Sequence, residues 1–171
     1  MKSNWLEEVM ALYNGISRQD DMERYQEYLK SDSKEKSLQM DILETLENLG
    51  YPMNENGTYL YKDMIVHVID ELKKGKEEQK LLEEMLQKYS QFYVDVARNE
   101  LDIGIKSFHR EIEKAHLKWN SSNADTKVLE EILPMELQNS GYIKRAYIIG
   151  NYIYQKEKEK QQGTEKVYVY Q

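Results

Sequence analysis

The chain has 171 residues, of which 24 are basic and 31 acidic, and it contains no cysteine. This length suits one domain, or one domain carrying a small helical appendage. The lack of cysteine excludes disulfides, thiolate zinc sites, iron–sulfur clusters and cysteine nucleophiles. Two prolines, eight glycines and 32% charged residues are typical of a helical protein. This composition predicts an all-α protein. Because no apolar run approaches the roughly 18–20 residues that span a bilayer, and the N-terminus is not a signal peptide, we also expect it to be cytoplasmic.

The net charge of −7 weighs against nucleic-acid binding, which draws much of its affinity from basic side chains on phosphates. The charge is unevenly distributed, however. Residues 1–48 carry 6 basic and 11 acidic side chains, so residues 49–171 carry a net charge of only −2. Charge alone therefore does not exclude a nucleic-acid partner for the C-terminal part of the chain.

Apolar residues at helical spacing predict eight helices, at about residues 3–15, 18–30, 32–49, 58–72, 76–98, 105–119, 128–132 and 140–158. The segment 76–98 fits either one helix or two with a bend near Tyr89. The first two helices form an acidic hairpin, residues 1–31, which is too short to be stable alone and must pack on something else.

The predicted domain boundaries follow from composition and capping signals. The polar stretch Ser31–Lys34 separates the hairpin from a domain of six or seven helices over residues 32–160. Asp32 and Glu35 form a capping box at the start of the third helix, and Gly50 and Pro52 end it. Residues 161–171 form a tail, in which Val167–Tyr170 alternates like a strand too short to stand alone.

One segment carries a specific motif. Leu49-Gly50-Tyr51-Pro52 is followed by Gly57 and by the run Tyr59-Leu60-Tyr61-Lys62-Asp63-Met64-Ile65. This pattern resembles the C-terminal DNA-binding effector domain of the response regulators that initiate sporulation, the stage 0 sporulation protein A family. Residues 92–98 resemble the first helix of that family's helix-turn-helix, residues 106–115 its recognition helix, and residues 139–143 the start of its last helix. The resemblance covers about residues 36–158.

The resemblance implies an all-α domain containing a helix-turn-helix, and a DNA-binding transcriptional regulator from a spore-forming bacterium or one of its mobile elements. The family's receiver domain, with its phosphoacceptor aspartate, is not among these residues, and the hairpin 1–31 stands in its place. The predicted recognition helix also departs from the family in its charge, since Glu111 and Glu113 dilute its basic residues.

The residues themselves permit DNA contact. The apolar stripe of the helix at 105–119 leaves five polar side chains facing outward, namely Lys106, Ser107, His109, Arg110 and Lys114. Such side chains reach bases and phosphates when a helix enters the major groove of double-stranded DNA. Arg110 suits bidentate contact with guanine, and Lys106 and Lys114 suit phosphates. The alternative is an ordinary solvated face, because residues 98–118 carry five basic and four acidic side chains.

Catalytic and metal-binding interpretations have little support in the sequence. His109, Glu113 and His116 share one helix face, but a di-metal bundle site needs a second Glu-x-x-His motif that the chain lacks. There is neither a glycine-rich phosphate loop nor a nucleophile elbow. We therefore expect no enzyme activity, no metal and no cofactor.

The 14 tyrosines suggest contact surfaces. Tyrosine combines an apolar ring with a polar tip, which suits half-wet interfaces. Four of them crowd the last predicted helix, and they predict a homodimer through that helix or, equally, rings packed on the chain's own core (Tyr142, Tyr147, Tyr152 and Tyr154). The acidic hairpin is a candidate site for a protein partner. The alternative function is thus a non-enzymatic protein–protein interaction module on the same fold that does not bind DNA.

Overall fold

The computed structural model describes residues 19–31, 37–97 and 103–169, with side chains over 20–31, 37–87 and 110–161. These residues form seven α-helices and no strand, which confirms the predicted all-α class. The helices are α1 (Gln19–Lys30), α2 (Leu38–Asn48), α3 (Asn56–Lys73), α4 (Glu78–Ala97), α5 (Ile103–Leu117), α6 (Thr126–Ile132) and α7 (Tyr142–Val169). Single 3₁₀ turns, Ser121–Asn123 and Met135–Leu137, flank α6. Within the described part of the chain, no helix combines the length and the apolarity needed to cross a bilayer.

Helix α3 lies at the centre of the fold. It is buried nearly all round, as expected for a helix covered by neighbours on several sides, and it packs against α2, α5 and α7. Its apolar residues meet those of α7 in one continuous core, which includes Leu60, Met64, Ile65, Val68, Ile69, Ala146, Ile149 and Ile153. Ile112 of α5 lies in the same core, so α5 is held against α3 by apolar packing.

Helix α1, the second half of the predicted hairpin, packs on the domain. Tyr25 is fully buried with Tyr59 of α3 and Leu43 of α2. The Tyr25 hydroxyl donates a 2.8 Å hydrogen bond to Glu47, and Asp21 forms a 3.3 Å ion pair with the buried Lys62. The first half of the hairpin lies outside the described residues, as do Asp32 and Glu35 of the predicted capping box.

Several predicted boundaries are corrected by the structure. Helix α2 begins at Leu38 and is capped by Ser37, whose hydroxyl accepts a 3.2 Å hydrogen bond from the Met40 amide. Helix α4 runs without a break past Tyr89. Helix α7 continues to Val169, so the strand-like pattern that begins at Val167 is helical to that point. The run of Gln, Lys and Glu that precedes it favours helix over an isolated strand.

Candidate nucleic-acid interface

Helix α5, the predicted recognition helix, has one buried side and one exposed side. Ile112 and Ala115 are 1% and 2% exposed and face the core. Arg110 and Lys114 are exposed on the other side, and Leu117 is 86% exposed. The spacing of three and four residues produces this division, because it places side chains on a common stripe of the helix.

The charges on α5 are sorted by exposure. Among the described side chains from 110 to 118, the exposed charged residues are Arg110, Lys114 and Lys118, all basic. The acidic residues that dilute the charge in the sequence, Glu111 and Glu113, are both half-buried. The surface that α5 presents to solvent is consequently more basic than its composition indicates.

A close helix crossing fixes α5 against the centre of the fold. Gly57, in the first turn of α3, lies against the backbone of Glu111 in α5. A Cβ atom at position 57 would lie 2.6 Å from the Glu111 carbonyl carbon and 3.0 Å from the Ala115 Cβ. Only glycine fits between the two backbones at this point, so the Gly57 of the sequence motif has a packing role.

The Leu-Gly-x-Pro turn receives the C-terminal end of α5. The Trp119 indole Nε1 donates a 2.7 Å hydrogen bond to the Leu49 carbonyl. Gly50 has a φ of +97°, which ends α2, and a Cβ there would lie 2.5 Å from the Asn120 carbonyl oxygen. Gly50 therefore does more than stop a helix: it allows the chain after α5 to approach the turn closely.

A buried polar and aromatic cluster joins this turn to α7. Arg145 is 4% exposed, and its guanidinium lies 4.3 Å from the centroid of the Trp119 ring. It donates hydrogen bonds to the carbonyls of Gln138 and Ser140 and to the Tyr51 hydroxyl. These partners compensate for the burial of a charge that would otherwise be costly. The end of α5 is thus held by both α2 and α7.

His116 of α5 belongs to this cluster and is neutral at pH 7. Its Nδ1 lies 3.4 Å from the Tyr51 hydroxyl, and its ring lies against those of Tyr51, Tyr61 and Tyr142. Burial, and then the Arg145 charge, lower the pKa of His116 from 6.5 to about 4. Burial likewise raises the pKa of the Tyr51 and Tyr61 hydroxyls. His116, Tyr51 and Tyr61 thus anchor α5 as uncharged groups at neutral pH, and Arg145 supplies the charge of the cluster.

One carboxylate contacts the basic face of α5. Glu55, immediately before α3, has a side chain that is only 11% exposed. It forms an ion pair with Lys118 and a longer one, 4.0 Å, with Lys114. The exposed end of α5 is therefore a cluster of two lysines around one fixed carboxylate.

The predicted DNA-contacting residues have the following positions. Arg110 and Lys114 lie on the exposed side of α5, as the sequence pattern predicted. Lys106, Ser107 and His109 lie within the backbone of α5, but their side chains fall outside the described residues. Residues 98–102, between α4 and α5, are also outside them, so the helix-turn-helix arrangement stays a prediction.

The prediction from sequence missed Lys118, Glu55 and the anchors Trp119 and Arg145. Lys118 could have been included, since it continues the four-residue spacing from Lys106 through Arg110 and Lys114. Nothing in the sequence indicated a buried role for Arg145. Among the described residues, no group of three or more His, Asp or Glu side chains is placed to hold a metal ion.

The four tyrosines of α7 whose side chains are described pack mainly inward. Tyr142 is buried, while Tyr147, Tyr152 and Tyr154 are half-buried against the core. The Tyr61 hydroxyl donates a 2.6 Å hydrogen bond to the Tyr142 carbonyl, which adds to this anchoring. These rings contact the chain's own core, and a homodimer through α7 stays a prediction.

Comparison of the chain with protein-family models, with curated proteins and with solved structures gave no match.

Proposed function

We propose that the protein is a cytoplasmic, non-enzymatic transcriptional regulator that binds double-stranded DNA in a sequence-specific manner through α5. On this proposal the protein has a fold like that of the sporulation-initiation effector domain and acts without a receiver domain. The observation that carries it is the sorting of charge on α5, where the exposed charged side chains Arg110, Lys114 and Lys118 are basic and the acidic ones are half-buried.

The dimensions of α5 suit the major groove. A helix of 15 residues is about 22 Å long and, with side chains, about 10–12 Å across, and the major groove is about 12 Å wide. On this proposal Arg110 contacts a guanine edge, which contributes about 1–3 kcal/mol of discrimination. Lys114 contacts phosphate, and Lys106, Ser107 and His109 share the interface as the helical spacing predicts.

A DNA-reading helix also needs a rigid support, because loosely held side chains discriminate poorly between bases. The crossing at Gly57 and the hydrogen bond from Trp119 to Leu49 supply such support to α5. The motif that resembles the sporulation regulators coincides with this support. This coincidence strengthens the proposal beyond the surface charge alone.

The test is fluorescence anisotropy with a pool of random-sequence DNA duplexes, at low and at near-physiological salt. The Arg110→Ala/Lys114→Ala variant is compared with Lys74→Ala/Lys158→Ala, which removes the same charge elsewhere. Both control lysines lie far from α5. Lys74 is about 25 Å along α3 from Gly57, where α3 crosses α5, and Lys158 is about 20 Å along α7 from Arg145, which anchors the end of α5.

We expect the wild-type protein and the Lys74→Ala/Lys158→Ala control to bind, with affinity that falls as salt rises. The Arg110→Ala/Lys114→Ala variant should lose most of this binding and reduce the salt slope by about 0.9, because Lys114 is the one of the two that is proposed to contact phosphate. Selection from the pool should then yield a preferred sequence. Equal losses in the two variants would contradict a role for α5.

The competing function is a protein–protein interaction module on the same fold. The observation that favours it is the Glu55 carboxylate, which offsets part of the charge of Lys114 and Lys118. In this alternative the acidic α1, with Asp20 and Glu27 exposed, contacts a protein partner, and α7 contacts a second copy of the chain. Absence of DNA binding at both salts by a folded protein would favour this function.

A further inference from the structure

The carboxylate of Glu55 occupies an unusual place at the start of α3. Glu55 stands at the N-cap position with extended backbone (φ −103°, ψ 131°), yet its side chain makes no capping hydrogen bond. A side-chain oxygen at this position commonly accepts a bond from the first turn of the helix. In this protein the carboxylate turns toward α5 instead, and its two oxygens contact Lys118 and Lys114.

The loop that carries Glu55 is fixed by hydrogen bonds on both sides. The Thr58 hydroxyl donates a 2.7 Å bond to the Pro52 carbonyl, and the Tyr59 hydroxyl donates a 2.8 Å bond to the Met53 carbonyl. Thr58 and Tyr59 are themselves fully buried. Because its loop is held and its side chain is 11% exposed, the Glu55 carboxylate cannot move far from the two lysines.

We propose that Glu55 is a specificity-determining residue, which lowers sequence-independent binding by competing with DNA phosphates for Lys114 and Lys118. The proposal rests on the proposed function of α5. A phosphate that approaches these lysines meets a negative charge already in place, so the gain from each phosphate contact is reduced. Contacts with base edges depend on hydrogen-bond geometry instead, and they are weakened less.

Glu55 has two opposing effects on DNA binding, and their relative sizes decide whether it strengthens or weakens that binding. The carboxylate orders two long side chains, which lowers the entropy cost of their contacts with DNA. It also repels each phosphate. At about 6 Å in water this repulsion changes the binding constant about threefold for one phosphate, and several phosphates lie within one Debye length at low salt. An ion pair at the surface is worth about as much as the repulsion from one phosphate, so the summed repulsion from several phosphates dominates.

The experiment measures anisotropy with random duplexes, and with a duplex selected by the wild-type protein if it binds. Four proteins are compared: wild type, Glu55→Gln, Glu55→Ser and the control Glu159→Gln. Glu159 is exposed and lies about 21 Å from Arg145 along α7, so its neutralisation changes net charge without touching α5. Glu55→Ser is a second variant, since serine removes the charge and is favoured at a helix N-cap.

We expect Glu55→Gln and Glu55→Ser to bind random DNA about three- to tenfold more tightly at low salt. The salt slope should become steeper by up to about 0.9, and the preference for the selected duplex should shrink. In a Lys114→Met/Lys118→Met background, Glu55→Gln should tighten binding less than it does in the wild-type background, because only the direct repulsion between Glu55 and the phosphates is then relieved.

Unchanged or weaker binding by folded Glu55 variants of a wild-type protein that binds would overturn this inference and leave the proposed function intact. Binding by the variants alone would overturn the inference together with the proposed function, because a wild-type protein that binds no duplex has no sequence preference for Glu55 to determine. Failure of wild type and both variants to bind, with intact thermal transitions, would overturn the inference together with the proposed function.

Discussion

The crossing between α3 and α5 can be tested by adding one methyl group. In a Gly57→Ala variant the new Cβ would lie 2.6 Å from the Glu111 carbonyl carbon, whereas carbon atoms pack at about 3.5–4.0 Å. The obstacle is backbone, which cannot rotate away as a side chain can. The helices must therefore separate by about 1 Å at this point.

The cost of this separation has two parts. Strain from overpacking is typically about 1–3 kcal/mol, and the buried Ile112 and Ala115 lose part of their contacts with α3. Alanine recovers at most about 1 kcal/mol through its better helix propensity. We expect a net loss of about 2 kcal/mol in the free energy of unfolding. For a chain of this size that loss lowers Tm by about 4–8 °C.

Two other glycines provide a graded control for urea and thermal unfolding. A Cβ at Gly141 would meet no atom within 4 Å, so Gly141→Ala should cost only what alanine loses to glycine at the N-cap of α7, under about 1 kcal/mol. A Cβ at Gly150 would meet the Val68 Cγ1 at 2.7 Å, a smaller overlap than the one with backbone at Gly57, so Gly150→Ala should fall between the two. A Gly57→Ala protein as stable as Gly141→Ala would refute the close crossing of α3 and α5.

Three further substitutions test the anchoring of the fold. The pKa of His116 is lowered to about 4, so the unfolded chain binds its proton first. As the pH is lowered from 6.5 to 4, the free energy of unfolding of the wild-type protein should therefore fall by up to about 3 kcal/mol. Urea titrations of His116→Gln should lack this part of the pH dependence. Arg145→Met leaves two half-buried carbonyls without their donor and should cost about 2–4 kcal/mol by urea unfolding. Lys144→Met, at an exposed neighbouring position, should cost little, and equal costs would contradict the role assigned to Arg145. Tyr25→Ala should lower the free energy of unfolding by about 3–4 kcal/mol, because the Tyr25 side chain is fully buried. Leu29 of the same helix is 38% exposed, so Leu29→Ala should lower it by under about 1 kcal/mol. No effect of Tyr25→Ala would mean that α1 does not contribute to the core.

The sequence predicted the helices of the domain because their apolar residues recur at regular spacing. Leu60, Met64, Ile65, Val68 and Ile69 indicate α3, and each of them is buried in the structure. The end of α2 was also predictable, because glycine readily adopts the positive φ found at Gly50. Local chemistry was sufficient for these features.

The support of α5 was not predictable, because it depends on residues far apart in the chain. Arg145 and Tyr51 are 94 positions apart, and Trp119 and Leu49 are 70 apart. Sequence patterns give arginine and lysine as exposed residues, yet Arg145 and Lys62 are 4% and 2% exposed because the fold supplies partners for their charges. The half-buried positions of Glu111 and Glu113 likewise follow from packing, not from composition.

The central claim is that the exposed face of α5 contacts duplex DNA, and photocrosslinking tests it most directly. The chain has no cysteine, so one introduced thiol carries a photoreactive label at a single position. Leu117→Cys places the label on that face without removing a basic residue, and Lys74→Cys places it at the far end of α3. We expect the label at position 117 to crosslink random duplexes in a salt-sensitive manner, and the label at position 74 to give little product. No crosslink from position 117, or equal yields from both positions, would contradict the claim.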